Sequence, residues 1–160
     1  LENVISALHG LNIHLRIIGE LTNRQHLLLR KFEINFSNDF NLTDHQLSIE
    51  YKNADIVLFP SLYEGFGLPV IEGFCAGKPV ITSNLSPMKD IAKDAALLVD
   101  PHSISSIRDG VNEFIKNPEL RQSKVEKGKL ITQVYQSKKI LAEYENLWKQ
   151  VQDSNEKAAF

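Results

Sequence analysis

The apolar residues of this chain follow two alternating spacings, one typical of amphipathic helices and the other typical of strands. Alternating or continuous apolar stretches predict strands at 13–17, 34–37, 56–59, 80–82 and 97–99. Helical spacing predicts helices at 4–8, 22–31, 43–52, 69–77, 103–116, 118–135 and 137–153. Cap residues support some of these boundaries, among them a capping box formed by Thr43 and Gln46.

This alternation predicts an α/β fold with a doubly wound, Rossmann-like parallel sheet and helices on both of its faces. The continuous apolar run at 56–59 predicts a strand that is buried on both faces. The chain opens on a helix, whereas a doubly wound domain normally opens on a strand. We therefore predict a single domain over residues 1–160 whose first strand and following loop lie upstream of Leu1.

The composition is that of an ordinary globular domain, and it argues against several classes of function. The chain has 160 residues, of which 42% are hydrophobic and 24% are charged. A net charge of -2 argues against nucleic-acid binding, which needs a basic face. No apolar run approaches the roughly 20 residues that span a bilayer, and no secretory signal is visible at Leu1. A single cysteine is typical of a reducing compartment, so we expect a cytoplasmic protein.

Most of the reactive side chains do not form a recognisable site. Cys75 has no His or Lys placed to activate it, and its small and apolar neighbours are typical of a packed helix. The five histidines lack the pairing on one helix face that is common among metal ligands. We therefore predict no metal site and no cofactor.

The most informative stretch follows the third predicted strand and leads into a helix. It reads Ser-Leu-Tyr-Glu-Gly-Phe-Gly-Leu-Pro-Val-Ile-Glu over residues 61–72. In open parallel sheets, ligands bind beyond the carboxyl ends of the strands, where this loop has to lie. Gly65 and Gly67 let a ligand approach the backbone closely. Free amides at the start of a helix attract anions, so the amides of Phe66, Gly67 and Leu68 predict an anion site.

Two carboxylates flank this predicted anion site. Glu64 lies in the loop, and Glu72 lies about one turn inside the helix. Carboxylates accept hydrogen bonds from hydroxyl groups, so the arrangement suits a ligand that carries hydroxyls on both sides of a phosphate. A nucleoside diphosphate sugar is such a ligand. The residues alone leave open a simpler interpretation, in which the loop is only a tight turn and the glutamates are solvated.

Together with this loop, further residues of the chain resemble a known family. They lie at 54–55, 60–61, 64–69, 72, 77–80, 82–83 and 95–101. In these positions the chain resembles the C-terminal domain of the retaining glycosyltransferases of family 4, which have the GT-B fold. The signature of that family is a pair of glutamates with seven residues between them, as in Glu64 and Glu72. Weaker similarity covers nearly the whole chain.

The resemblance implies a role for each position of the site. Glu72 corresponds to the glutamate that binds the ribose, and Glu64 corresponds to the catalytic glutamate beside the donor hexose. The other implied donor-binding positions are Gly19, Gly65, Phe66, Gly67 and Leu68, and the candidate base-binding positions are Asn41 and Leu42. Just before these last two residues the family has a glycine, where this chain has Phe40.

The resemblance also implies what the whole protein does. This chain would be the donor half of a retaining hexosyltransferase that makes a polysaccharide or glycoconjugate, and alone it would be inactive. The implied partners are a nucleotide-sugar donor, an N-terminal domain upstream of Leu1, and an acceptor glycan or lipid-linked glycan at the inner face of a membrane. Two alternatives are a GT-B-type sugar-nucleotide epimerase and a non-catalytic nucleotide-binding module.

The last predicted helix, 137–153, closes the domain and carries an apolar stripe at helical spacing. The stripe consists of Ile140, Tyr144, Leu147, Trp148 and Val151. We expect it to pack on this domain's own sheet, and the alternatives are that it docks on the N-terminal domain or attaches to a membrane.

Overall fold

A computed structural model of the chain describes residues 1–133 and Tyr135. The strands in this part of the chain are β1 (Leu15–Ile18), β2 (Phe36–Asp39), β3 (Val57–Phe59), β4 (Val80–Ser83) and β5 (Leu97–Val99). The helices are α1 (Glu2–Leu8), α2 (Asn23–Lys31), α3 (Asp44–Asn53), α4 (Leu68–Cys75), α5 (Met88–Ala92), α6 (Ile104–Lys116) and α7 (Pro118–Thr132). The predicted alternation of strands and helices is confirmed. The predicted helix at 137–153 and its stripe lie outside the described residues.

All strand pairs are parallel, as the predicted doubly wound fold requires, and within the described residues they form two sheets. β1 pairs with β2 in one sheet, and β3, β4 and β5 form the other in that order. Within the described residues, β1 and β3 do not pair with each other. The separation lies where a doubly wound sheet with the order 3-2-1-4-5-6 has its first strand. The strand that we expect upstream of Leu1 stays a prediction.

The prediction that the third strand is buried on both faces was wrong for β3. Val57 is buried, whereas Leu58 and Phe59 are only half-buried. β3 pairs with β4 on one side, and its other edge has no strand partner among the described residues. By contrast, β4 has a strand on each side and is buried along its whole length. Position in the sheet, rather than hydrophobicity alone, therefore sets the burial of these strands.

Side-chain caps fix the starts of several helices. The predicted capping box of Thr43 and Gln46 is present at α3, and Thr22 forms an equivalent box at α2.

β1 and β2 both begin two residues later than predicted, because Ile13 and Ile34 pack into the core from loops and not from strands. The five-residue helix α5 was not predicted, and it lacks a side-chain cap.

The three-stranded sheet has helices on both faces, as predicted. Val80 and Ile81 follow each other in β4, so their side chains point to opposite faces. Val80 belongs to the hydrophobic cluster formed with α4 and α5, whereas Ile81 belongs to the cluster formed with α1 and α6. A third cluster lies between β1, α1 and α2. None of the described helices is both long and apolar enough to cross a membrane.

α4 packs very close to the sheet at Gly73, which faces β3 and β4. A Cβ atom at this position would lie 2.8 Å from Val80 Cγ2 and 3.3 Å from Val57 Cγ2. Real Cβ atoms do not approach other heavy atoms to 2.8 Å, so any larger residue forces α4 or the strands apart. The absence of a side chain at Gly73 therefore sets the distance between α4 and the sheet.

We predict that Gly73→Ala destabilises the protein by about 1–3 kcal/mol, because the added methyl group overpacks this contact. The measurement is the free energy of unfolding in urea. Cys75→Ala is the matched control, because Cys75 is exposed on the same helix and its replacement should change stability by less than about 0.5 kcal/mol. Equal effects of the two substitutions would show that the Gly73 contact does not limit packing.

Candidate functional site

The loop between β3 and α4 begins at the carboxyl end of the three-stranded sheet and ends at Gly67, the N-cap of α4. Gly67 has φ 94° and ψ 42°, a left-handed conformation that a residue with a side chain adopts only with strain. Within residues 1–133 and Tyr135, the amides of Phe66, Gly67 and Leu68 donate no hydrogen bond to the protein. The first amides of a helix and the helix dipole both favour negative charge, so this end of α4 can bind an anion.

Glu64 lies in this loop, is half-buried, and is held by a residue of the same loop. Ser61 Oγ lies 2.8 Å from Glu64 Oε1 and 3.2 Å from the carbonyl oxygen of Tyr63. Because a hydroxyl has one proton, Ser61 donates to one of these acceptors at a time. Tyr63 itself is 88% exposed. The carboxylate of Glu64 is therefore oriented locally, beside side chains that face solvent.

Glu72 lies on α4, and its carboxylate is held from a different helix. The hydroxyl of Tyr51, near the end of α3, donates to Glu72 Oε2 over 2.7 Å. Burial raises the pKa of Tyr51, and the hydrogen bond and negative charge of Glu72 raise it further. The phenol is therefore protonated at neutral pH and donates a hydrogen bond to the carboxylate.

The remaining predicted residues lie at the carboxyl ends of β1 and β2. The amide of Gly19 donates to the carbonyl of Asp39 over 2.8 Å, and the side chain of Asn38 donates to the carbonyl of Gly19 over 2.7 Å. Asn41 is exposed with φ 56°, a left-handed conformation that asparagine tolerates, and Leu42 beside it is half-buried. Both residues precede Thr43, the N-cap of α3. Near the other end of this helix, Tyr51 contacts Glu72.

An ion-pair network that the sequence analysis missed fixes α3 to the two-stranded sheet. Arg16 on β1 donates from Nε and Nη2 to the two carboxylate oxygens of Glu50, over 2.8 and 2.6 Å, and Nη2 also donates to Asp39. The hydrogen bond from Arg16 lowers the pKa of Glu50 below its ordinary value. Because α3 has no fully buried residue, such polar contacts are important for its placement.

Two hydroxyl residues lie at the carboxyl end of β4. Thr82 is fully buried, and its Oγ1 donates to the carbonyl of Phe59 over 2.8 Å, directly before the loop that carries Glu64. Ser83 is also fully buried, and its Oγ has no hydrogen-bond partner in the described part of the chain. The bond from Thr82 fixes the end of β3, from which the loop departs.

A cavity of about 100 Å³ lies elsewhere, next to Leu11, Ile13, Ile34 and Asn35. These residues precede β1 and β2, so the cavity lies at the amino ends of the strands. Ligands of open parallel sheets bind at the opposite ends, and the cavity lacks the predicted site residues. Among residues 1–133 and Tyr135, no group of three His, Cys, Asp or Glu side chains could hold a metal ion. The loop before α4 therefore remains the best candidate site.

The chain is similar to one known family and to several known proteins. The sequence model of the family "Glycosyl transferases group 1" matches residues 1–130. The O-antigen chain mannosyltransferase B of Escherichia coli is 32% identical over 85 residues, which are 53% of this chain and 22% of that protein. Among solved structures, sucrose-phosphate synthase from Thermosynechococcus elongatus superposes with a TM-score of 0.84 at 18% identity, over 96% of this chain and 42% of that one.

A second solved structure, HepE from Anabaena in complex with UDP and glucose, superposes with a TM-score of 0.82 at 15% identity. The match covers 92% of this chain and 44% of HepE. These superpositions confirm that the fold is that of a GT-B glycosyltransferase domain with a Rossmann-like arrangement. The chain spans less than half the length of each of these three proteins.

We predict that Glu50→Gln makes the stability of the protein less dependent on pH between roughly pH 5 and pH 3. A carboxylate with a lowered pKa contributes stability above the ordinary pKa, and this contribution is lost as the pH falls through the folded-state pKa. The variant lacks that carboxylate, so it should be less stable at pH 7 and lose less stability on acidification.

The measurement is the free energy of unfolding in urea at a series of pH values. Glu113→Gln is the control, because Glu113 is exposed on α6 and should keep the wild-type profile. If Glu50→Gln has the same acid sensitivity as the wild type, the pair with Arg16 does not contribute to acid stability.

Proposed function

This chain belongs to the group 1 glycosyl transferases, and we propose that it binds the nucleoside diphosphate sugar that donates the hexose. In finer detail, we propose that it is the C-terminal, donor-binding domain of a family 4 enzyme that retains the anomeric configuration. The observation that carries this proposal is the start of α4, where the amides of residues 66–68 donate no hydrogen bond within the described part of the chain, with Glu64 and Glu72 before and after them in sequence.

Each part of the donor has a matching group in this arrangement. The diphosphate binds at the amides of Phe66, Gly67 and Leu68, where the helix dipole stabilises negative charge. The ribose hydroxyls donate to Glu72, and the hexose hydroxyls donate to Glu64. The relatives support this choice of ligand, because HepE was solved with UDP and glucose and the relative from Escherichia coli is a mannosyltransferase.

In the proposed reaction, the bond between the anomeric carbon and the diphosphate oxygen breaks while an acceptor hydroxyl forms a new bond on the same face of the sugar. The proton of the acceptor goes to the departing diphosphate. The start of α4 stabilises the negative charge that develops on the diphosphate. Glu64 stabilises the positive charge that develops on the sugar. Catalysis on this scheme consists mainly of positioning and electrostatic stabilisation.

The other half of the reaction requires an acceptor site, which we place on an N-terminal domain of the full-length protein. The product is a polysaccharide or glycoconjugate. We expect transfer without a bound metal ion, because the amides and dipole of α4 supply the charge stabilisation at the diphosphate. The assay that tests this expectation is transfer by the full-length enzyme in the presence of EDTA.

Our prediction for Glu72 is that Glu72→Ala weakens the binding of free nucleotide and nucleotide sugar by the same factor, because both ligands contain the ribose. Loss of hydrogen bonds to a charged carboxylate should cost about 1.5–3 kcal/mol, or roughly 10- to 150-fold in affinity. Calorimetry with UDP, GDP and their hexose conjugates measures the loss. Glu113→Ala is the control for removal of an exposed carboxylate. Unchanged affinity for free nucleotide would refute the ribose assignment.

For Glu64 we predict a different pattern. Glu64→Gln keeps the size of the side chain and its acceptor for Ser61, but removes the charge. It should leave nucleotide binding nearly intact and lower the kcat of the full-length enzyme by about 10- to 100-fold, because only stabilisation specific to the transition state affects that step.

Titration of Glu64→Gln with free nucleotide and with nucleotide sugar distinguishes this role from a purely structural one. If the contact with Ser61 only orders the loop, the substitution should damage the binding of both ligands alike. Matching losses for the two ligands would therefore mean that Glu64 does not contact the hexose.

A further inference from the structure

The contact between Tyr51 and Glu72 joins two helices that have different roles in the proposed site. Glu72 lies on α4, whose amino end forms the proposed anion site, and Tyr51 lies on α3, which begins directly after the candidate base-binding residues. The two residues are 21 positions apart in sequence, and both are half-buried. The ring of Tyr51 packs against the hydrophobic cluster of α4 and α5, so the phenol is held independently of the carboxylate.

The hydrogen bond from Tyr51 restricts the orientation of the Glu72 carboxylate but occupies only one of its acceptor positions. A carboxylate has about four acceptor positions on its two oxygens. Tyr51 occupies one of them on Oε2, and no other side chain in residues 1–133 or Tyr135 donates to this carboxylate. A carboxylate whose plane is already fixed accepts two adjacent hydroxyls of a ligand at a lower cost in entropy, because a free glutamate side chain rotates about several bonds.

α3 is itself fixed at the residue next to Tyr51. Glu50 accepts two hydrogen bonds from Arg16, which attaches this turn of α3 to β1. The hydroxyl of Tyr51 is therefore placed by the ion pair on one side and by the hydrophobic cluster on the other. A donor that is fixed in this way defines one orientation of the acceptor that it binds.

We propose that Tyr51 is a positioning residue that orients Glu72 for the two adjacent hydroxyls of a ribose. It thereby sets the preference of the site for ribonucleotides over 2′-deoxyribonucleotides. This inference rests on the proposed function, because it takes Glu72 as the residue that binds the ribose. It goes further because it assigns the selectivity for the two ribose hydroxyls to Tyr51, which lies outside the loop at 61–72.

The test uses Tyr51→Phe, which removes the hydroxyl and keeps the ring in the hydrophobic cluster. Affinities for UDP, GDP, 2′-deoxy-UDP and 2′-deoxy-GDP are measured by calorimetry. We expect the variant to lose about 3- to 10-fold in affinity for the ribonucleotides, the effect of one hydrogen bond. The loss for the 2′-deoxyribonucleotides should be smaller, so that the ratio of the two affinities falls by about two- to tenfold.

Tyr135→Phe is the matched control, because Tyr135 packs against the same cluster. It should keep the wild-type affinity ratio. Equal losses for ribo- and deoxyribonucleotides in Tyr51→Phe would mean that Tyr51 only supports the fold, and the proposal would be wrong. Urea unfolding of each variant establishes that the measured chain is folded.

A double-mutant cycle with Glu72→Ala separates this inference from the proposed function. If Tyr51 acts through Glu72, Tyr51→Phe has no further effect on the affinity ratio in the Glu72→Ala background. If Glu72→Ala abolishes the preference but Tyr51→Phe does not change it, the positioning role is wrong and the ribose role of Glu72 stands. If neither substitution changes the preference, the ribose assignment of Glu72 fails as well.

Discussion

The close packing of α4 on the three-stranded sheet is the constraint on which the candidate site depends. Gly73 lets α4 approach β3 and β4 closely, and Gly67 turns the chain in a left-handed conformation at the start of the helix. Together they bring the amino end of α4 to the carboxyl end of β3. The packing of α4 therefore places the amides of its first turn and the carboxylate of Glu72 relative to the sheet.

α3 is placed by a different kind of interaction. It has no fully buried residue, so hydrophobic packing alone cannot fix its position. Instead, Arg16 on the two-stranded sheet binds Glu50, and the next residue of α3, Tyr51, donates a hydrogen bond to Glu72 on α4. A partly exposed ion pair contributes little to stability by itself, but two hydrogen bonds in one plane give it a defined geometry. These contacts connect α3 to the two-stranded sheet and to α4 at one turn of the helix.

The sequence predicted the parts of the fold that depend on local signals. The strand at 97–99 and the capping box at Thr43 were predicted correctly, because the apolar residues and the cap lie within a few positions of each other. The half-burial of β3 and the separation of the two sheets could not be predicted in this way, because they depend on which strands are neighbours in space.

The same distinction holds for the site. The loop at 61–72 is continuous in sequence, so its glycines and glutamates could be identified from their spacing. The partner of Glu72 is 21 residues away, and Glu50 is 34 residues from Arg16. No local pattern indicates these contacts, since the topology alone brings the residues together. Sequence analysis thus identified the candidate ligand-binding groups and missed the groups that hold them.

The two glutamates differ in how they are held, and this difference fits the roles proposed for them. Glu64 is bonded to Ser61 within its own loop, whereas Glu72 is bonded to Tyr51 on a separate helix. A carboxylate fixed between two helices suits the ribose, which does not change during the reaction and contributes equal binding to the ground state and the transition state. The contact with Ser61 orients Glu64 independently of α3. On the proposed roles, α3 and α4 hold the part of the donor that stays constant, and the loop between β3 and α4 carries the carboxylate for the part that reacts.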